Sequence, residues 1–303
     1  MADSPTFLHR IAAAPISWGV CEVPGWGLQL PVERVLAEAS ALGFTAMERG
    51  ALGWLPTEPV AQRAKLDEYG MRLLGGFVPL VLHAPERRAE MLHRADRIAE
   101  NMAASGGSCF VTAAVGSLEE WSRPVASEAS WAELLANLAR IDEICAGRGL
   151  TQAVHPHVDT LIETGEEVQR FLAGCSVRLC LDTGHLTIGG TDVVSIAREH
   201  IERIALVHLK DVDGDIAGRQ RSGELDLMAA TQAGLFPPLG DGMVPIAQVV
   251  TILEAAGYDG WYVLETDVAL GHEPPVGAGP DRAVARSLDF LRALDTAAAV
   301  AGP

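Results

Sequence analysis

The sequence predicts an α/β fold, a single-domain (β/α)8 TIM barrel, and three observations carry that reading. Short apolar or β-branched runs alternate eight times with longer stretches of helical period. No break in composition divides residues 1–303 into two domains. The first strand-to-helix turn, SWGVCEVPGWGLQL, lacks the GxGxxG of a doubly wound open sheet. A chain of 303 residues suggests two domains at about 150 residues each, but barrels of about 250 residues are a known exception. Strands separated by helices imply right-handed crossovers and a parallel sheet, and eight such units close into a barrel.

The expected strands are 11–17, 44–48, 72–78, 108–114, 151–155, 177–182, 204–209 and 261–265. The expected helices are 31–42, 58–69, 86–105, 128–147, 165–174, 191–200, 245–256 and 281–297. Pro31 opens the first helix, where its missing N–H costs nothing. Glycines follow the ends of four helices, at 43, 70, 149 and 257, where a left-handed residue is wanted. The connection 211–244 after the seventh strand is long for a compact domain, and it reads as a lid. It carries Arg219, Arg221 and Glu224, with Phe236 and Leu239 to shield a site from water.

Charge excludes several functions. Lys+Arg number 23 against 40 Asp+Glu, a net charge of −17, so no cationic face is available for nucleic acid. An anionic membrane surface would repel the chain, and no apolar run approaches the ~18 residues of a membrane span. The acidic pair Glu119-Glu120 reads as solvated surface. Five cysteines without a CxxC pair fit a reducing compartment. The opening MADSPTFLHR is too short and polar for a signal peptide, so a cytoplasmic enzyme on a small molecule is expected. Trp and Leu on the barrel helices are compatible with a homodimer.

A barrel places chemistry at the C-terminal ends of its strands. Strand five ends in His155 and His157, and strand six in Asp182 with His185 beyond it. Strand seven ends in His208 and Lys210, and strand eight in Glu265 and Asp267. One histidine at a strand end is most often a hydrogen-bonded structural residue. Four adjacent strands that all end this way point instead to a divalent metal site with His155, Asp182, His208 and Glu265 as ligands. Mixed nitrogen and oxygen ligands suit Mn²⁺, Fe²⁺, Co²⁺ or Zn²⁺. Bound there, a metal would act as a Lewis acid on a substrate carbonyl. Trp18 either walls a sugar ring or packs on the rim. Glu48 either binds hydroxyls or pairs with Arg49. Arg219 would reach substrate from the lid.

The strings PISWG, HPHVDTLIET, LCLDTGHLTIGG, VHLKDVD, GLFPPLGDG and GYDGWYVLETD resemble the xylose-isomerase-like sugar isomerase/epimerase superfamily, and within it the inosose dehydratase branch. The likeness runs from about Ala13 to Leu291. It implies a barrel with one divalent metal, commonly Mn²⁺ or Co²⁺, with Mg²⁺, Fe²⁺ or Zn²⁺ as alternatives. Asp182, His208 and Glu265 match ligand positions. His155 stands where the isomerases usually carry glutamate, and Glu163 is the spare carboxylate. His185 and Lys210 match substrate-contacting positions. Two departures bear on the substrate. Thr266 replaces a Gln usual in that branch, and Asp159 replaces a Gly.

The implied reaction is loss of water from 2-keto-myo-inositol or a similar cyclic keto-polyol through a metal-stabilised enolate. Glu265 or His157 would be the base, and His185 or Lys210 the acid. The alternatives are a keto-sugar isomerase or epimerase, and an eliminase acting on an oxidised 3-keto glycoside. A non-catalytic carbohydrate binder would hold no metal.

Overall fold

The fold is that of a computed structural model, which describes residues 6–119 and 123–301. Glu120 and the first five residues lie outside the described residues. Eight parallel strands close in sequential order. They are β1 Ile11–Ala13, β2 Ala46–Glu48, β3 Arg72–Leu80, β4 Cys109–Ala114, β5 Thr151–Val154, β6 Arg178–Asp182, β7 Ile204–Leu209 and β8 Trp261–Leu264. The helices are α1 Val32–Ala41, α2 Pro59–Asp67, α3 Arg88–Ala104, α4 Glu128–Ala146, α5 Gly165–Gly174, α6 Thr183–Ile188, α7 Val193–Glu199, α8 Gly214–Arg221, α9 Leu227–Gln232, α10 Ile246–Ala255 and α11 Pro280–Ala301. The predicted (β/α)8 barrel is therefore present.

The period of two along each strand decides what faces the axis. Ala12, Ala46, Ala153, Cys180, Leu206 and Val263 form the small inner cluster, while Leu181, Val207, Leu209, Tyr262 and Leu264 join the layer under the helices. Stepping by two from the inner set reaches Glu48, His155, Asp182, His208 and Glu265. The alternation that packs the axis thus also aims every polar strand end into the mouth. Register places Asp182 directly beside His208, and the Glu265 N–H donates to the Leu209 carbonyl at 3.0 Å.

β1 stops earlier than expected. Pro15 starts a 3-10 turn over Pro15–Trp18 that ends on Gly19 at φ 81°. A β-carbon on Gly19 would meet the Leu28 carbonyl oxygen at 2.9 Å, so both conformation and space call for glycine.

The long connection is partly helical. It holds α8 and α9, and its return limb is tied to the end of β7. The Asp211 carboxylate accepts backbone N–H groups from Val212 at 2.9 Å, Gly240 at 2.8 Å, Gly242 at 3.0 Å and Val244 at 3.0 Å. Among the described residues, no helix is long and apolar enough to cross a membrane.

Candidate metal centre and active site

The four expected ligands lie in three overlapping groups whose ligand atoms are within 4.8 Å of one another: His155, Asp182 and His185; Glu48, His208 and Glu265; and His155, Cys180 and His208. His155 Nε2 lies 3.2 Å from Asp182 Oδ2. His208 Nδ1 lies 3.3 Å from Glu265 Oε1 and 3.8 Å from Asp182 Oδ2. Ligand atoms held at about 2.0–2.2 Å from one cation stand about 3 Å apart, so each of these pairs is spaced as two ligands of a divalent ion would be. The donor chemistry fits as well. Nδ1 of His208 is buried and has no hydrogen-bond partner. His208 Nε2 faces Glu48 Oε1 at 3.2 Å, so with Nε2 donating there Nδ1 would be the atom offered to a metal toward Asp182 and Glu265. Glu48 thus orients a ligand.

Asp182 has a second task. Its Oδ1 accepts the His185 N–H at 2.7 Å and caps α6. One carboxylate therefore ends a strand, starts a helix and keeps Oδ2 for the centre.

Lys210 is the buried cation of the site. Its Nζ lies 2.8 Å from Glu265, 3.0 Å from Asp267 and 3.4 Å from Asp182. Burial opposes its charge, but Asp182, Asp267 and Glu265 outweigh burial and hold its pKa well above the usual lysine value. Nζ also donates to His185 Nε2 at 3.0 Å. The Phe236 ring lies 5.1 Å from Nζ and so covers the cation. Gly184 leaves room for the lysine stem, because a β-carbon there would meet Lys210 Cγ at 2.6 Å.

Two histidines stack beside this cation. The rings of His157 and His185 have centroids 3.7 Å apart. Burial, then His155 and Lys210, pushes the His157 pKa down to about 3. Burial, then His157 and Lys210, holds His185 well below its usual value. Both imidazoles are therefore neutral near pH 7. His157 Nδ1 donates to the Val158 carbonyl at 2.6 Å, which places its lone pair on Nε2.

The mouth pocket encloses about 620 Å³ with its open solvent, and Glu48, Phe77, His155, His157, Lys210, Glu265 and Asp267 line it together with Cys21, Glu22 and Trp26. Three expected substrate contacts lie elsewhere. Trp18 is fully buried, and its indole N–H donates to Glu38 of α1 at 2.8 Å, so it packs under the helix layer. Glu163 lies 3.3 Å from the Arg123 guanidinium and accepts the Asp159 N–H at 3.1 Å, which closes the loop before α5. Arg219 is exposed and pairs with Glu224 at 2.8 Å.

Other residues at the site escaped the sequence reading. Trp26, Phe77 and Glu22 line the pocket from irregular or apolar segments that carry no motif. Cys180 lies beside His155 and His208 within the barrel, where its apolar run reads as core. Asp267 was visible as the end of its strand but had no expected role.

Buried groups of histidines and carboxylates at the mouth of a (β/α)8 barrel define the class: a barrel competent to hold a divalent metal. Residues 36–294 match the model of the xylose isomerase-like TIM barrel family, and the chain belongs to that family. It is 32% identical over 277 residues to the inosose dehydratase of Geobacillus kaustophilus, which covers 87% of this chain and 89% of that protein. It is 32% identical over 270 residues to the rhizopine catabolism protein MocC of Rhizobium meliloti, covering 85% of this chain and 81% of that one. Among solved structures it resembles the IolI protein with a bound zinc atom, at TM-score 0.68 and 13% identity over 95% of this chain and 98% of that chain.

Proposed function

We propose that the protein is a lyase that removes water from a cyclic keto-polyol of the 2-keto-myo-inositol class. The observation that carries this is a buried lysine held against a neutral histidine pair, directly beside a ligand set for a divalent ion. The likeness to an inosose dehydratase over most of both chains supports the substrate class.

His155, Asp182, His208 and Glu265 would hold the metal, with Mn²⁺ or Co²⁺ as the expected ion. When bound, a divalent ion would polarise the substrate ketone and acidify the neighbouring carbon. His157, whose Nδ1 donates to the Val158 carbonyl and so presents Nε2 as the accepting atom, or Glu265 is the base expected to take the α-proton. Lys210 carries the proton that the departing β-hydroxyl needs, and His185 accepts a hydrogen bond from it and holds it in place. Glu265 and Asp267 fix the other side of the ammonium. Phe236 and Trp26 exclude water from the pocket wall.

The test is direct. Metal-stripped protein is reloaded with Mn²⁺ and given 2-keto-myo-inositol, and a dione chromophore is expected. Asp182→Ala treated the same way should give none. Equal behaviour of the two proteins sinks the site. Interconversion of ketoses without loss of water would replace the lyase reading with that of an isomerase or epimerase.

A further inference from the structure

A second cluster of charge lies outside the mouth pocket, and the proposed reaction does not use it. Arg49 follows the end of β2 and is 5% exposed. Its guanidinium donates once, to the Phe77 carbonyl at 2.8 Å, and its Nε is buried with no partner. Arg94 of α3 likewise has a buried Nε with no partner. Neither arginine belongs to any ion pair within 4.0 Å among the described residues. Both line the same two adjoining clefts, one against α3 and one against the 21–29 segment. The second cleft shares Cys21, Glu22, Val23 and Trp26 with the mouth pocket, so one wall separates the arginines from the candidate metal centre.

Buried guanidinium N–H groups without partners are costly, and two like charges brought together add repulsion. Each effect is relieved by one bound anion, and the planar fork of arginine suits carboxylate or phosphate oxygens. The carboxylates nearby do not fill this role. Glu90, at the outer rim, pairs with Arg87 at 3.6 Å. Glu58 stands on the exposed edge of the same cleft. Glu22 on the shared wall is the nearest compensating charge and acts on Arg49, but it makes no ion pair or hydrogen bond with either guanidinium, so their N–H groups stay unpartnered. Gly76 adds to the picture, because a β-carbon there would meet Arg49 Cβ at 2.9 Å and Nε at 3.3 Å. The absent side chain lets the guanidinium cross the strand and reach the cleft.

We infer that Arg49 and Arg94 form an oxyanion-binding site next to the candidate active site, one that takes a phosphate or carboxylate group. The group is either a substituent at the far end of a substrate or a free small anion bound beside it.

Inorganic phosphate is the probe, titrated by calorimetry into wild-type protein, Arg94→Gln and Asp182→Ala, each stripped of metal. Arg94 is half-buried on a helix, so the glutamine variant is expected to fold, which its circular dichroism checks. Saturable binding is expected in the wild type and in Asp182→Ala, with affinity at least about tenfold weaker in Arg94→Gln. A crystal soaked in tungstate should place the anion between the two guanidinium groups. No saturable binding, equal binding by Arg94→Gln, or loss of binding in Asp182→Ala instead would overturn the inference. None of these readouts uses turnover, so they stand apart from the lyase test. A phosphorylated keto-polyol with a lower KM than its neutral parent, a gain erased by Arg94→Gln, assigns the anion to the substrate. Phosphate that binds without competing with the neutral parent assigns it to a free ion.

Discussion

Lys210 Nζ and His185 Nε2 stand 3.0 Å apart, both within 1% of full burial, on an element pair that the barrel brings together only at its mouth. A lysine ammonium rarely faces an imidazole at that distance unless the imidazole is neutral. Here burial, then His157, Lys210, His155 and His208, keep it so, and three carboxylates keep the lysine charged. The pair is therefore a fixed proton donor and a fixed acceptor.

Lys210→Gln should lower kcat about 10²–10⁴-fold, the usual contribution of a positioned acid. It also leaves Asp182, Glu265 and Asp267 without their cation, so the metal-free variant should melt several degrees lower, and added Mn²⁺ should recover part of the loss. Steady-state kinetics and melting with and without metal check this. A variant with wild-type kcat would remove Lys210 from the chemistry.

Gly184→Ala tests the lysine's position without touching its charge. The new methyl would overlap the Lys210 stem at 2.6 Å from Cγ and 2.9 Å from Cδ. Overpacking of this kind costs about 1–3 kcal/mol. Activity is expected to fall at least about tenfold while the far-ultraviolet circular dichroism stays unchanged. Full activity would show that the stem can shift without consequence.

Asp211→Ala should loosen the connection over the site. Four backbone N–H groups converge on this one carboxylate, and hydrogen bonds to charged groups contribute about 1.5–3 kcal/mol each before coupling. Loss of at least about 3 kcal/mol in chemical denaturation is expected, with new proteolytic cuts between residues 235 and 245. A variant as stable and as resistant as wild type would count against this anchor.

The sequence exposed the parts of this design that depend on periodicity. Eight strands were readable because apolar runs alternate with helices, and the ligand candidates were readable because each is the polar end of an inward-facing row. What depends on the path of an irregular segment was not readable. Trp18 sits in PISWG next to the site in sequence, yet the 3-10 turn begun by Pro15 swings its indole under α1. Glu163 and Arg219 are polar residues in the right region, but each is satisfied by a neighbour in its own loop. The sequence offers Arg49 only as a partner for Glu48, because nothing local reveals that Gly76 clears its path across the strand. Asp159 shows the converse case. It holds a left-handed φ of 64°, the conformation glycine adopts without cost, so a glycine would fit that place without strain.

Glu22 carries the pH prediction. Burial is the largest influence on its carboxyl and raises the pKa from 4.5 to about 7, with Arg49 pulling the other way and Glu48 and Glu265 adding to the rise. A carboxyl whose pKa is higher in the folded chain binds more protons there than when unfolded. Its contribution to stability is therefore complete below pH 4.5 and is lost as pH rises through about 7. Glu22→Gln removes the titration and keeps the shape. Wild type should lose stability relative to Glu22→Gln as pH rises from 5 to 7.5, and the difference should level off above that. Subtracting the two curves cancels every other titrating group, Asp267 included. Parallel curves across that range would show that Glu22 meets solvent or a counter-charge and titrates normally.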